Sequence, residues 1–176
     1  MVILEPASTA LVLVDLMPRI IDLPLGPRSG PEALDAACTL AARFRAAGAP
    51  VIAVRTERPH VVRQPPGSEL HQRVADLADA VVVKGTIGAF HHTGLHELLR
   101  DRRVSTLVLA GIATNMGVES TARAASDHDY ELVFVEDATT ALTAAEHHAA
   151  ITLNLPRFGQ VTSGTELTLE AVTPAS

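Results

Sequence analysis

Apolar residues in this chain fall into two patterns: short unbroken runs, and longer stretches where they recur every three or four positions. Residues 10–15 read Ala-Leu-Val-Leu-Val-Asp, five apolar side chains closed by an acid. Such a run suits a strand covered on both faces, because a half-exposed strand alternates apolar with polar. The same signature predicts strands at 50–55, at 80–84 through Val81, Val82 and Val83, at 105–112 and at 131–136, with a sixth at 158–162. Between them, residues 31–48 place Leu34, Ala37, Cys38, Ala41 and Phe44 at helical spacing, with Ser29 or Gly30 to cap, Pro31 to start and Gly48 to stop the helix. Residues 94–102, 116–128 and 144–153 read as further helices, and 165–172 as a final helical turn or two. Apolar strands alternating with helices predict an α/β, three-layer α-β-α sandwich. Its six-stranded, mostly parallel, Rossmann-like sheet carries helices on both faces, and one domain spans 1–176. Residues 57–67, with Pro59, Pro65 and Pro66, predict an exposed loop, and 173–176 a frayed tail.

Charge and composition remove several functional classes. Lys+Arg 14 against Asp+Glu 20 gives a net charge of −6, so no basic stripe is available for a phosphate backbone. Aromatics are 3% with no Trp, which removes the stacking platforms of single-strand binders. Nucleic acid is therefore not an expected partner. No run of ~18 apolar residues spans a membrane, and residues 1–10 lack the basic start of a signal peptide; the expected location is the cytoplasm. The one Cys excludes an intramolecular disulfide framework and a Cys-based zinc cluster. Of the 14 basic residues only Lys84 is lysine. A lysine kept where Arg is used everywhere else points to a need for a compact ammonium with a shiftable pKa.

Ligands in open α/β sheets bind beyond the carboxyl ends of the strands. The residues there are Asp15, Arg55, Lys84, the turn Gly111-Ile-Ala-Thr-Asn115, and Glu136 with Asp137. A carboxylate after four apolar residues is costly to bury unless paired, and Lys84 follows three valines in the same way. The two are expected within about 4–6 Å, where each charge tunes the other; a plain structural ion pair is the alternative. The turn at 111–117 leads into a helix that Thr114 or Asn115 can cap, and its amides form an anion or oxyanion site. No GxGxxG, P-loop or GxSxG pattern is present. Among the eight His, the adjacent pairs His91-His92 and His147-His148 project about 100° apart on a helix and do not chelate. They are expected to be solvated, with His91 or His92 near the pocket. No metal and no cofactor is expected. Arg55, Arg58 and Arg63 are candidates for recognising a carboxylate.

Several segments in this order resemble the isochorismatase-like hydrolases, the superfamily of nicotinamidases, carbamoylsarcosine amidases and isochorismatases. They are Leu11-Val-Leu-Val-Asp15, Val83-Lys84 followed by Gly88-Ala-Phe90, Leu107-Val-Leu-Ala-Gly-Ile-Ala-Thr-Asn115, Val118-Glu-Ser-Thr-Ala-Arg-Ala-Ala125 and Val133-Phe-Val-Glu-Asp-Ala138. The resemblance spans most of the chain. It implies a six-stranded parallel sheet, a homodimer or higher homo-oligomer, and a non-proline cis peptide at Ile112–Ala113. In the amidase branch the triad is Asp, Lys and Cys. Asp15 and Lys84 match the first two, while Gly117 holds the position of the Cys. Cys38, on the apolar face of the first helix, reads as a small buried hydrophobe. The isochorismatase branch needs no thiol: its Asp protonates a vinyl ether and water attacks the resulting cation. The Ala-Thr-Asn turn is closer to the amidases. Some nicotinamidases hold a metal through Asp-x-His…His after the second strand, a spacing absent from residues 55–60.

The resemblance thus implies a small-molecule hydrolase in which Asp15 and Lys84 assist water attack on a vinyl ether, C–N or ester bond without a Cys nucleophile. Ile112, Ala113, Thr114, Asn115 and Met116 would form the oxyanion and substrate site, with Phe90 and Arg55 as further substrate contacts. Ser120 or Thr114 as a substitute nucleophile lacks an evident His base. The alternative is a non-catalytic small-molecule-binding relative that has lost its nucleophile.

Overall fold

The computed structural model describes residues 1–171; the tail at 173–176 lies outside them. In chain order the elements are β1 (Val2–Leu4), β2 (Thr9–Val14), α1 (Pro18–Ile21), α2 (Gly30–Ala46), β3 (Val51–Thr56), α3 (Gln72–Leu77) and β4 (Ala80–Lys84). They continue with α4 (Leu95–Asp101), β5 (Thr106–Ile112), α5 (Glu119–Asp127), β6 (Glu131–Thr140), α6 (Ala144–Ala149), β7 (Gln160–Thr162) and β8 (Leu167–Leu169). Six strands form one parallel sheet in the order β4-β3-β2-β5-β6-β7. Each parallel neighbour requires a crossover, which the helices supply. The α/β sandwich expected from the sequence is therefore the observed fold.

Alternation along each strand sends side chains to opposite faces. Leu11 and Leu13 of β2 join Ala53, Val108 and Val133 in a core under α2. Ala10, Val12 and Val14 join Ile52, Val54 and Leu107 in a second core under α4 and α5. Both faces of β2 and β5 are thus buried, which accounts for their unbroken apolar runs. Helix α2 begins with a reciprocal capping box: Glu32 N–H donates to Ser29 Oγ, and Ser29 N–H donates to Glu32 Oε2. Its buried face includes Leu34, Ala37, Cys38, Ala41 and Phe44.

The apolar pattern did not announce β1, α1 or α3, and three expected elements depart from their reading. The helical turn expected at 165–172 is not formed over its described residues, 165–171; after a short 3-10 turn at Gly164–Glu166 the chain extends as β8 and pairs in parallel with β1. Leu167 is buried, and Arg43 of α2 donates to the carbonyls of Gly164 and Leu167. Carbonyls engaged from the side favour an extended path over a helix. The helix expected at 116–128 starts as a π-helical turn, Thr114–Val118, before α5. The one expected at 144–153 starts as α6 and widens into a second π-helical turn, Ala150–Asn154. Residues 57–67 hold no strand or helix. Among the described residues no helix is long and apolar enough to cross a membrane.

Candidate active site

A cavity of about 440 Å³ opens at the carboxyl ends of β2, β3, β4 and β5, lined by Asp15, Thr56, Lys84, Ile112, Ala113 and Gly117 among others. Its size and its place both suit a small-molecule site. A cavity of about 470 Å³ at the opposite end is lined by residues that precede the strands, including Ala7, Pro50, Asp79 and Arg102. There Arg45 already pairs with Asp79 at 3.3 Å, and no strand delivers a charge to it. The first cavity is the candidate site.

Asp15 follows the last residue of β2 with φ 55, a left-handed conformation that Asp tolerates better than most residues. Lys84 ends β4, and its side chain is only 2% exposed. Lys84 Nζ lies 2.8 Å from Asp15 Oδ2. The ammonium also donates to the carbonyls of Ile87 at 2.7 Å and Thr86 at 3.3 Å, so its three protons are all engaged. Thr56 Oγ1 donates to the other carboxylate oxygen, Oδ1, at 2.9 Å. Burial pushes the Asp15 carboxyl above its ordinary range, and Lys84, Thr56 and the charge of Arg19 only partly offset this. A buried carboxyl that holds its proton more readily than usual, paired with one ammonium in a cleft, has the make-up of an acid–base centre.

The turn after β5 supplies the opposite wall. The Ile112–Ala113 peptide is cis, as the resemblance implied. Ile112, Ala113, Met116 and Gly117 all line the cavity. A Cβ built on Gly117 would stand 3.2 Å from Asp15 Oδ2, 2.9 Å from Val14 Cγ1 and 3.7 Å from the carbonyl of Ile87. Position 117 therefore faces the Asp15–Lys84 pair.

Four expected residues lie elsewhere, each for a visible reason. Thr114 is fully buried and turns its hydroxyl to His147 Nδ1 at 2.9 Å. Asn115 does not line the cavity, and its Oδ1 is buried without a hydrogen-bond partner among the described residues. Phe90 packs into the second core, 5.2 Å from the His128 ring and 6.0 Å from Tyr130. Arg55 is held by Glu57 at 2.6 Å and is absent from the lining. Of the three candidate arginines only Arg58 reaches the cavity. Ser120 does not line it. Cys38 is buried in the α2 core, where burial pushes its thiol upward.

Other residues at the site escaped the sequence reading. Thr56 closes β3 one position beyond the predicted strand, and Arg19 lines the cavity from α1. The expectation that His147 is solvated is overturned, since it is buried beneath the turn. Its Nε2 lies 3.9 Å from Glu136 Oε1 and has no hydrogen-bond partner among the described residues. Burial, then the charge of Arg28, holds its pKa below the ordinary 6.5. Its spacing from Ala150 and Ile151, both buried, was the available signal. His91, His92 and His148 are exposed.

The isochorismatase domain model matches residues 9–166. An uncharacterized isochorismatase family protein of Escherichia coli O157:H7, YecD, is 36% identical over 181 residues, covering 93% of this chain and 96% of that protein. The ureidoacrylate amidohydrolase RutB of Variovorax paradoxus is 41% identical over 80 residues, 46% of this chain and 32% of its own length. The solved structure of an isochorismatase family protein from Burkholderia thailandensis superposes with a TM-score of 0.80 at 35% identity, covering 92% of this chain and 94% of that one. A family match over residues 9–166, joined to a relative similar along almost its whole length, means that the chain belongs to the isochorismatase family and is a hydrolase of that family.

Proposed function

We propose that the protein hydrolyses a small organic metabolite using Asp15 as acid and base, Lys84 as its electrostatic partner and water, not a thiol, as nucleophile. One observation carries this reading: the buried Asp15–Lys84 contact of 2.8 Å opens on the cavity with Gly117 facing it. With a vinyl ether, Asp15 gives its proton to the terminal vinyl carbon. Water adds to the oxygen-stabilised cation, its surplus proton returns to the Asp15 carboxylate, and the hemiketal parts into a carbonyl compound and an alcohol. With an amide or ester, Asp15 takes the proton of the attacking water and passes it to the leaving nitrogen or oxygen. Lys84 stabilises the carboxylate whenever the proton is elsewhere, and backbone amides of the turn at 113–117 oppose the developing negative charge.

Gly117 also favours a second reading, a relative that binds a small molecule without turning it over. A screen of vinyl ethers, amides and esters separates the two. Turnover that falls by about 10²–10⁴ in Asp15→Asn supports hydrolysis. Turnover indifferent to that change overturns the role of Asp15, and no turnover on any of the three bond classes leaves the binding reading. The protein is further proposed to work in the cytoplasm as a homo-oligomer with a two-fold dimer as its simplest unit. Light scattering that gives the chain mass of 18.5 kDa at micromolar protein refutes the oligomer.

A further inference from the structure

We infer that Arg19 anchors a carboxylate on the substrate, and that the rest of the substrate is a small apolar body. The inference rests on the hydrolytic reading of the same cavity and names the class of molecule it takes. Arg19 lines the cavity that holds Asp15 and Lys84. Its Nε is buried and has no hydrogen-bond partner among the described residues. A buried guanidinium N–H left without an acceptor is costly, and a planar carboxylate is the acceptor that its fork fits. The two carboxylates that line the cavity are already engaged: Asp15 by Lys84 and Thr56, and Glu57 by Arg55. The lining therefore offers the Arg19 guanidinium no free carboxylate.

The backbone fixes where that charge sits. Arg19 N–H donates to the carbonyl of Gly67 at 3.2 Å. Gly67 has φ 74, and a Cβ there would come within 2.9 Å of Arg19 N, so the loop end closes against α1 only because position 67 is glycine. The charge of Arg19 reaches Asp15, where it is one of the influences that lower the carboxyl. Ile20, Leu23, Leu25, Ile87 and Leu142 make up much of the remaining wall. Arg58, exposed at the rim, adds attraction for an anion approaching from solvent. Two guanidiniums without a glycine-rich phosphate cradle suit a carboxylate monoanion.

Benzoate and benzamide test this, being nearly the same shape and differing in charge. Calorimetric titration of the full chain should show benzoate binding more tightly than benzamide. Arg19→Gln should weaken benzoate at least about tenfold, as expected when a charge-assisted hydrogen bond is lost, and leave benzamide within about twofold; Arg19→Lys should retain part of the preference. Should Arg19→Gln not fold, the wild-type protein answers instead: the Arg19 Nε–H resonance should shift with benzoate and stay still with benzamide. Equal affinity for the two probes, no benzoate binding at millimolar concentration, or a resonance that ignores benzoate overturns the anchor. The two readings fail separately. Arg19-dependent benzoate binding without turnover in the screen removes the hydrolytic reading and keeps the anchor. Asp15-dependent turnover with no preference between the probes does the reverse.

Discussion

Replacing Lys84 by methionine isolates the energetics of the buried pair, because methionine keeps most of the side-chain volume and removes the ammonium. Three contacts disappear: the 2.8 Å pairing with Asp15 and the hydrogen bonds to the carbonyls of Ile87 and Thr86. Ile87 and Thr86 are exposed, so water can take over at their carbonyls. The Asp15 side chain is 13% exposed and keeps only Thr56 as a donor. Removing one partner of a buried pair typically costs about 3–5 kcal/mol. That penalty applies only while Asp15 is ionised. The carboxyl is already raised by burial in the native protein, and the loss of Lys84 raises it further. A carboxyl with a raised folded pKa contributes stability that is present at low pH and lost as pH climbs through that pKa.

Urea unfolding of wild type and Lys84→Met at about pH 5 and about pH 8 reads this directly. The penalty should be small at the lower pH, roughly the 1 kcal/mol of a lost hydrogen bond, and approach 3–5 kcal/mol at the higher. One titrating group can change stability by about 1.4 kcal/mol per pH unit, so a growth of at most about 4 kcal/mol fits the window. Adding Asp15→Asn to Lys84→Met should recover most of the high-pH loss, since no buried charge is then left unpaired. A penalty equal at both pH values, or one that the double variant does not relieve, would mean that Lys84 acts through packing and not through Asp15.

Gly117→Cys should be alkylated by iodoacetamide near neutral pH, its thiol starting beside Asp15 and Lys84, at a cost of about 1–3 kcal/mol for crowding the buried Val14; an inert thiol there means that position 117 does not face the pair. The native protein should stay unlabelled, because Cys38 is buried with its thiol pushed upward, and Cys38→Ala should keep whatever turnover the screen finds. His147, whose pKa is lowered by burial, should make the fold lose stability as pH falls below its ordinary 6.5, since unfolding frees it to take a proton. His147→Asn should flatten that slope in urea titrations between about pH 7 and pH 5, and an unchanged slope would assign the effect to other groups.

What the sequence disclosed, and what it withheld, follows from how far each signal reaches along the chain. Burial of a strand on both faces is written in consecutive residues, so β2 and β5 were legible as runs, and so were the charges that end β2 and β4. The contact between those charges was legible too: β2 and β4 end at the same edge of one parallel sheet, on either side of β3, and opposite signs there leave little else for two buried groups to meet. Side-chain direction in the turn after β5 was not. Thr114 and Asn115 sit within four residues of Gly117, yet the π-helical turn shows the cavity Met116 and Gly117 and turns Thr114 toward α6. A wider turn changes the angle between successive side chains, and no residue type announces that it will form. Arg19 was hidden for a different reason. Its meaning lies in the absence of a hydrogen-bond acceptor at its Nε, and an absent partner is a property of three-dimensional neighbours. Arg55 made the opposite error inviting: it stands at a strand end, but Glu57, two residues on, already satisfies it at 2.6 Å. A cation at a strand end therefore says little about ligands until its local acids have been accounted for. By that criterion the chemistry of this cavity rests on one satisfied pair, Asp15 with Lys84, and one unsatisfied arginine, Arg19. In the proposed reaction the first moves a proton and the second holds the molecule on which it acts.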